Sequence, residues 1–189
     1  PSIYDDIEWN YGDATFQSAK IGDIQNVTEY RYQKSLTEVG LFSMTIPADT
    51  PFADEIEPDY YLFVDKQDWL VVQDIQVNKT SYKITGVDLK GLLQYRCTLS
   101  DIIDGKMTFD TISSTTEICC KHYVLNNLVN PLDANRKISL VTITENNWQG
   151  KLNDKYTSRL EPVDEVVKKI CDNADIYYDM PVDLKHNKI

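Results

Sequence analysis

The alternation of apolar and polar positions is strongest between Leu70 and Arg96, LVVQDIQVNKTSYKITGVDLKGLLQYR, where two extended runs lead into a short helix. In the first run Val71, Ile75 and Val77 fall on one side of a two-residue period that Gln73 interrupts. Asn78-Lys79-Thr80-Ser81 then supplies a polar turn. In the second run Tyr82 and Ile84 share one face and Lys83 and Thr85 the other. Gly86 is expected to end that strand, in a bend that no Cβ obstructs. Asp88 is placed to accept hydrogen bonds from the free N–H groups of a first helical turn. Leu89, Leu92 and Leu93 follow at i, i+3 and i+4, an apolar stripe suited to plugging the end of a sheet. A hairpin feeding a plug helix is a building part, with no catalytic pattern in it.

The flanking segments extend the same theme. Residues 1–20 carry Ile3, Tyr4, Ile7, Trp9, Tyr11 and Phe16 among acids and read as an edge strand or an arm packed on a neighbouring subunit. Tyr30 and Tyr32 alternate with Arg31 and Gln33, as in a half-exposed strand. Gly40 to Pro47 reads as a strand with Phe42, Met44 and Ile46 inward, closed by a proline that cannot donate to a ladder. Ala48–Pro58 is a connection, Tyr60–Asp65 another strand, and Lys66-Gln67-Asp68 a tight loop. Short strands at this spacing predict an α+β chain built on a small antiparallel β-barrel or curled sheet capped by short helices.

Beyond Arg96 the character changes. A polar loop with an Asp104-Gly105 turn precedes a helix expected over 110–129, which Asn130-Pro131 stops. Lys137–Thr144 alternates like a strand. Pro162–Ala174 is the clearest helix: Val163, Val166, Val167, Ile170 and Ala174 share one face, and acids lead the lysines. Asp175–Val182 reads as a last short strand, and the natural chain is expected to continue past the polar LKHNKI. The expected division is a β-domain over 1–100 and a second small α+β domain over 101–189, with the boundary near Leu99 to Asp110.

At 189 residues, 42% hydrophobic and 11% aromatic, the chain can bury one substantial core or two small ones. Its net charge of −11 repels phosphate backbones and anionic lipid, so no direct nucleic-acid or membrane binding is expected. No apolar run reaches the length a transmembrane helix needs. Cys97, Cys119, Cys120 and Cys171 lack metal-ligand spacing and are expected to be reduced and mostly buried, with His122 and His186 the sole imidazoles. The acid clusters Asp5-Asp6-Glu8, Asp54-Glu55-Glu57-Asp59 and Asp101-Asp104 would need a cleft holding two carboxylates about 5 to 9.5 Å apart for glycoside hydrolysis, and they read as solvated loops. Trp9, Tyr11, Tyr60, Tyr61 and Trp69 could stack on sugars or anchor an interface, but such residues ordinarily pack half-buried in sheets. No Gly-x-Ser-x-Gly elbow or phosphate loop occurs, so no catalytic, metal or cofactor residue is assigned.

The order of SLTEVGLFSMTIPAD, EPDYYLFVDKQDWLVVQDIQ and YKITGVDLKGLLQYR resembles the gene-product-thirty-seven-like tail proteins of siphophages and prophages. The positions that carry the likeness are Gly40, Phe42, Ile46 and Pro47, then Gly86, Leu89, Leu93 and Arg96, and it covers about Ser35 to Met180. Gln94-Tyr95 departs from the more basic residues expected before Arg96. The resemblance implies a virion structural protein of the tail tip or baseplate hub, made in the bacterial host cytoplasm. It would not be an enzyme, and it would form a ring, a trimer by analogy, with itself and with other tail proteins. A carbohydrate- or receptor-binding module of the tail tip is the alternative, and a tail-associated hydrolase the third.

Overall fold

The computed structural model describes residues 2–4, 20–64, 68–100, 102–103, 106–150, 152, 154–182 and 189. The chain is α+β and divides into two compact units: Pro1–Ser35, Val39–Gly91 and Met180–Ile189 form one, Leu36–Glu38 and Leu92–Asp179 the other.

The first unit is a curled, antiparallel half-barrel of seven strands: β1 (Ser2–Tyr4), β2 (Lys20–Asp23), β3 (Glu29–Gln33), β4 (Leu41–Pro47), β5 (Tyr61–Val64), β6 (Asp68–Val77) and β7 (Ser81–Asp88). Their order is β2-β1-β5-β6-β7-β4-β3, so β2 and β3 are the outer strands among the described residues. β1 therefore lies between β2 and β5 and is no edge strand, while residues 5–19 of the expected edge strand or arm lie outside the described residues. Phe42, Met44 and Ile46 of β4 point into the core with Leu62, Val64, Leu70, Val72 and Ile84, as the alternation predicts. Tyr30 and Tyr32 pack against that core while Arg31 and Gln33 stay exposed.

The central hairpin departs from its reading at two points with one cause. A β-bulge falls between Val72 and Asp74, so the extra residue Gln73 shifts the phase of β6. Leu70 and Val72 before it face the core together with Ile75 after it, whereas Val71 lies on the opposite face. Val77, read as sharing a side with Ile75, is 66% exposed at the hairpin end. Gly86 does not end β7, which runs on to Asp88. It sits opposite Val72 and Phe42, and a Cβ there would lie 2.0 Å from the Val71 carbonyl oxygen and 2.7 Å from the Phe42 ring. The bend belongs to β6, and Gly86 is required by close approach. After Asp88, whose carboxylate accepts the Lys90 N–H at 3.1 Å, the plug turns as a 3-10 helix over Leu89–Tyr95 with Leu89, Leu92 and Leu93 buried.

The second unit holds β8 (Ile102–Ile103) and β9 (Lys106–Met107), β10 (Asp110–Ser114), helix α1 (Thr116–Val124), β11 (Asp154–Ser158) and helix α2 (Val163–Ala174). Cys119 and Tyr123 of α1 meet Val166 and Ile170 of α2, with Ile112, Cys120 and Tyr156 around them. The helix expected over 110–129 is shorter at its start, because Asp110–Ser114 pairs with β11. Thr111, Ile112, Ser113 and Ser114 are poor helix formers, and Thr111 and Ile112 suit a strand. α1 closes in a π-helical turn, Leu125–Val129, where Asn127 is fully buried, donating to the Tyr123 carbonyl and accepting from Leu99 N–H. Lys137–Thr144 forms no strand: Val141 N–H closes a turn on Ile138, and the adjacent Leu140 and Val141 are both buried. α2 matches its expected face, with Cys171 added to the buried set and Pro162 as its N-cap. It ends in a Schellman closure, Asp175 N–H to Asp172 O and Ile176 N–H to Cys171 O, with Asp175 in the left-handed region. The chain after it stays irregular through Val182, so the last strand expected there is absent.

Candidate assembly surfaces

In the half-barrel the outer strand β3 is where a neighbour could add. It pairs with β4 on one side, Glu29 opposite Thr45 through Gln33 opposite Leu41. Its outward residues are charged or polar, and Arg31 bridges Glu29 at 2.8 Å. Charge on an outer strand discourages random pairing and leaves room for a partner of matching pattern. The distal part of β6 is a second projection, with Gln73, Asp74, Gln76 and Val77 exposed beside the Asn78–Thr80 tip.

The buried pair at the plug is structural. Lys90, 3% exposed, donates to the Ser35 carbonyl and lies 3.8 Å from the Asp88 carboxylate. Beside it, Asp88 N–H donates to Gly40 O at 3.0 Å. A Cβ on Gly40 would come within 2.6 Å of Asp88 Oδ2.

In the second unit one carboxylate organises a loop. Glu117, in the first turn of α1, accepts the backbone N–H of Asn147 at 3.0 and 3.1 Å and that of Gln149 at 2.8 Å. It also takes the Lys121 ammonium at 2.5 Å, and Lys121 donates onward to the carbonyls of Thr144 and Glu145. Burial alone would raise the Glu117 pKa. The Gln149 N–H, the Lys121 ammonium and the Asn147 N–H outweigh it and hold the group at about 2. Between those anchors Trp148 sits in the left-handed region, φ 57°, with its side chain 66% exposed. A non-glycine residue in that region persists only when its surroundings hold it there. The clamp therefore displays an indole.

His122 and Asp110 meet at 2.7 Å, with the Asn126 amide 3.3 Å from the ring and Tyr123 Oη donating to the Asp110 carbonyl. Burial raises the Tyr123 pKa, and the nearby Asp110 charge adds to it. This cluster pins β10 to α1. Its hydrogen bonds run between the strand and the helix, which makes it a structural network.

The residues weighed in the sequence fall mostly into plain roles. Asp54 and Glu55 are exposed in a 3-10 turn, Tyr61 and Trp69 are buried, and Phe63 stacks on Trp69 with centroids 4.7 Å apart. Asp5, Asp6, Glu8, Trp9, Tyr11, Asp101, Asp104 and His186 lie outside the described residues. Among the described residues no cluster of three or more potential metal ligands occurs, and no helix is long and apolar enough to cross a membrane. Glu117 and Trp148 leave no signal in the sequence, because an acid in a helix and an aromatic in a polar loop form no pattern in one dimension.

A family model described as siphovirus ReqiPepy6 Gp37-like protein matches residues 13–189. The chain belongs to this family. Among solved structures, the fold of this Gp37-like protein is similar to that of prophage tail protein gp18 from Listeria monocytogenes EGD-e, with a TM-score of 0.52 and 13% sequence identity. The match covers 92% of this chain and 45% of that one, so the chain spans less than half the length of gp18. At that identity the likeness is one of fold. No curated protein matches the chain.

Proposed function

We propose that the chain is a non-enzymatic structural component of a siphophage tail, placed at the tail tip or baseplate hub. There it closes a ring with copies of itself, a trimer in this reading, at the end of the tail tube. A structural role in a phage tail is supported by the family and by the likeness of fold to a prophage tail protein. The observation that carries the ring is the curled sheet with β2 and β3 outermost. Outer strands invite uncontrolled pairing unless guarded, and a closed ring of subunits satisfies them. The two parts read from the sequence, 1–100 and 101–189, would serve as its modules. Its partners are itself and other tail proteins, its place is the virion after synthesis in the host cytoplasm, and a net charge of −11 suits a passage that DNA crosses without sticking.

Light scattering behind a sizing column, run over a concentration series, tests the ring. A trimer or hexamer supports it, and a strict monomer at high concentration counts against it. Antibody labelling of purified particles tests the position: signal at the tail end is expected, and label confined to heads or tail shaft overturns it.

Trp148 favours a second reading, a receptor- or carbohydrate-binding surface, because an exposed indole on a clamped loop is a rigid contact residue. A glycan screen comparing the native chain with Trp148→Ala decides it. Binding that disappears in the variant supports this reading, and no binding by either chain removes it.

A further inference from the structure

We infer that Cys120 of α1 and Cys171 of α2 form a dithiol couple that closes to a disulfide linking the two helices of the second unit. The two sulfurs lie 3.8 Å apart, in van der Waals contact, on helices already packed together. The bond requires about 2.04 Å, so closure asks for a sulfur displacement of under two ångströms, within reach of side-chain rotation. The environment sorts the roles. Cys120 is partly exposed and can meet a small reagent, whereas Cys171 is buried and can meet only its neighbour. Cys119, although adjacent to Cys120, is fully buried and packs with Tyr123, Val166 and Ile170. Cys97 is exposed, but the sulfur contact belongs to the other two.

The partner reagent is a small-molecule disulfide of the oxidised-glutathione class. The Cys120 thiolate attacks one of its sulfurs, forming a mixed disulfide and releasing one thiol. Cys171 then attacks the Cys120 sulfur, forming the protein disulfide and releasing the second thiol. Two electrons pass from the protein sulfurs to the small disulfide, and the two cysteine protons end on the two released thiols. The contact with Cys171, and then burial, push the Cys120 thiol pKa up, so thiolate is scarce near neutrality and closure is slow. A pair of this kind stays reduced through synthesis in a reducing cytoplasm and closes on prolonged exposure outside it.

The chemistry stands on geometry in the isolated chain and does not depend on the tail reading. The test is incubation of the full chain with excess oxidised glutathione at mildly alkaline pH, followed by non-reducing proteolysis and mass spectrometry. The expected product has lost two hydrogens and links the peptide containing Cys120 to that containing Cys171. Its thermal midpoint should rise by several degrees, as expected for a loop of 51 residues. Cys120→Ser should abolish both the link and the rise while its reduced form melts near the native reduced chain. If Cys97 acquires a glutathione adduct, which shows that the reagent works, and no 120–171 link forms, the inference is wrong. A Cys119–Cys171 link, or one through Cys97 between chains, overturns it equally. Because the readout is a covalent link within one chain, it is unaffected by whether the protein forms rings.

Discussion

Replacing Glu117 by Gln should loosen the 144–149 loop and destabilise the second unit. The substitution keeps the shape of the side chain and removes its charge, while turning one of two acceptor oxygens into a donor. That donor would face backbone N–H groups of Asn147 or Gln149 that Glu117 now accepts. The ordinary value of 4.5 falls to about 2 in the folded chain, which corresponds to about 3 kcal/mol at roughly 1.36 kcal/mol per pH unit. The side chain is 13% exposed, so screening leaves about 2 kcal/mol, a loss in thermal midpoint of about 4–8 °C for Glu117→Gln at pH 7. Because the folded value is depressed, the stabilisation is complete above the unfolded value of 4.5 and disappears as the pH falls toward 2. The difference between native and variant chains should therefore hold steady from pH 8 to about 5.5, shrink below 4.5 and close near pH 2. Thermal unfolding followed by circular dichroism, with tryptophan emission reporting on the loop, measures both features. A neutral-pH difference under about 0.5 kcal/mol, or one that keeps its size down to pH 2, would refute the argument that charge holds this loop.

Three further substitutions probe the frame. Gly86→Ala places a Cβ 2.0 Å from a backbone oxygen that cannot rotate away, so β6 and β7 must separate. A loss of about 3 kcal/mol or more in urea unfolding is expected, and a near-neutral result would mean that the strands are not so close. Lys90→Ala leaves Asp88 buried without its cation and should cost about 3 kcal/mol in the same assay, whereas a benign effect would show that water reaches the carboxylate. Ile170→Ala, at a fully buried site between α1 and α2, should cost about 2–5 kcal/mol, while Val77→Ala at the exposed hairpin end should stay within about 0.5 kcal/mol. Equal effects of that last pair would contradict the core assignment.

What was legible in the chain follows from how locally each feature is determined. β4 reads correctly because one face is core and the other is not along its whole length, so a strict period of two survives. α2 reads correctly for the same reason at a period of 3.6. β6 fails because one bulged residue inverts the phase, and nothing in Gln73 itself announces a bulge. β11, DKYTS, is not legible in the sequence because a two-stranded ribbon with one aromatic has no apolar stripe. The 110–114 segment reads as helix in the sequence because its pairing partner lies forty or more residues away. The loop clamp is still harder to find, since Glu117 and Trp148 acquire meaning only when α1 and the 144–149 loop meet.

Several of the residues that carry the family resemblance meet in the first unit although they are spread along the sequence. Phe42 lies directly across the ladder from Gly86, and its ring occupies the space a side chain at that position would need. Gly40 supplies the carbonyl for Asp88 N–H and has no Cβ to push the Asp88 carboxylate away, which in turn caps the plug through Lys90 N–H. Leu89 and Leu93 fill the plug. Arg96 ends the motif by holding the Arg136 carbonyl at 2.6 Å while the Arg136 guanidinium takes the Cys97 carbonyl at 2.5 Å, a mutual tie that fixes the exit of the plug in the second unit. Each of these residues serves the packing or the hydrogen bonding of its neighbours.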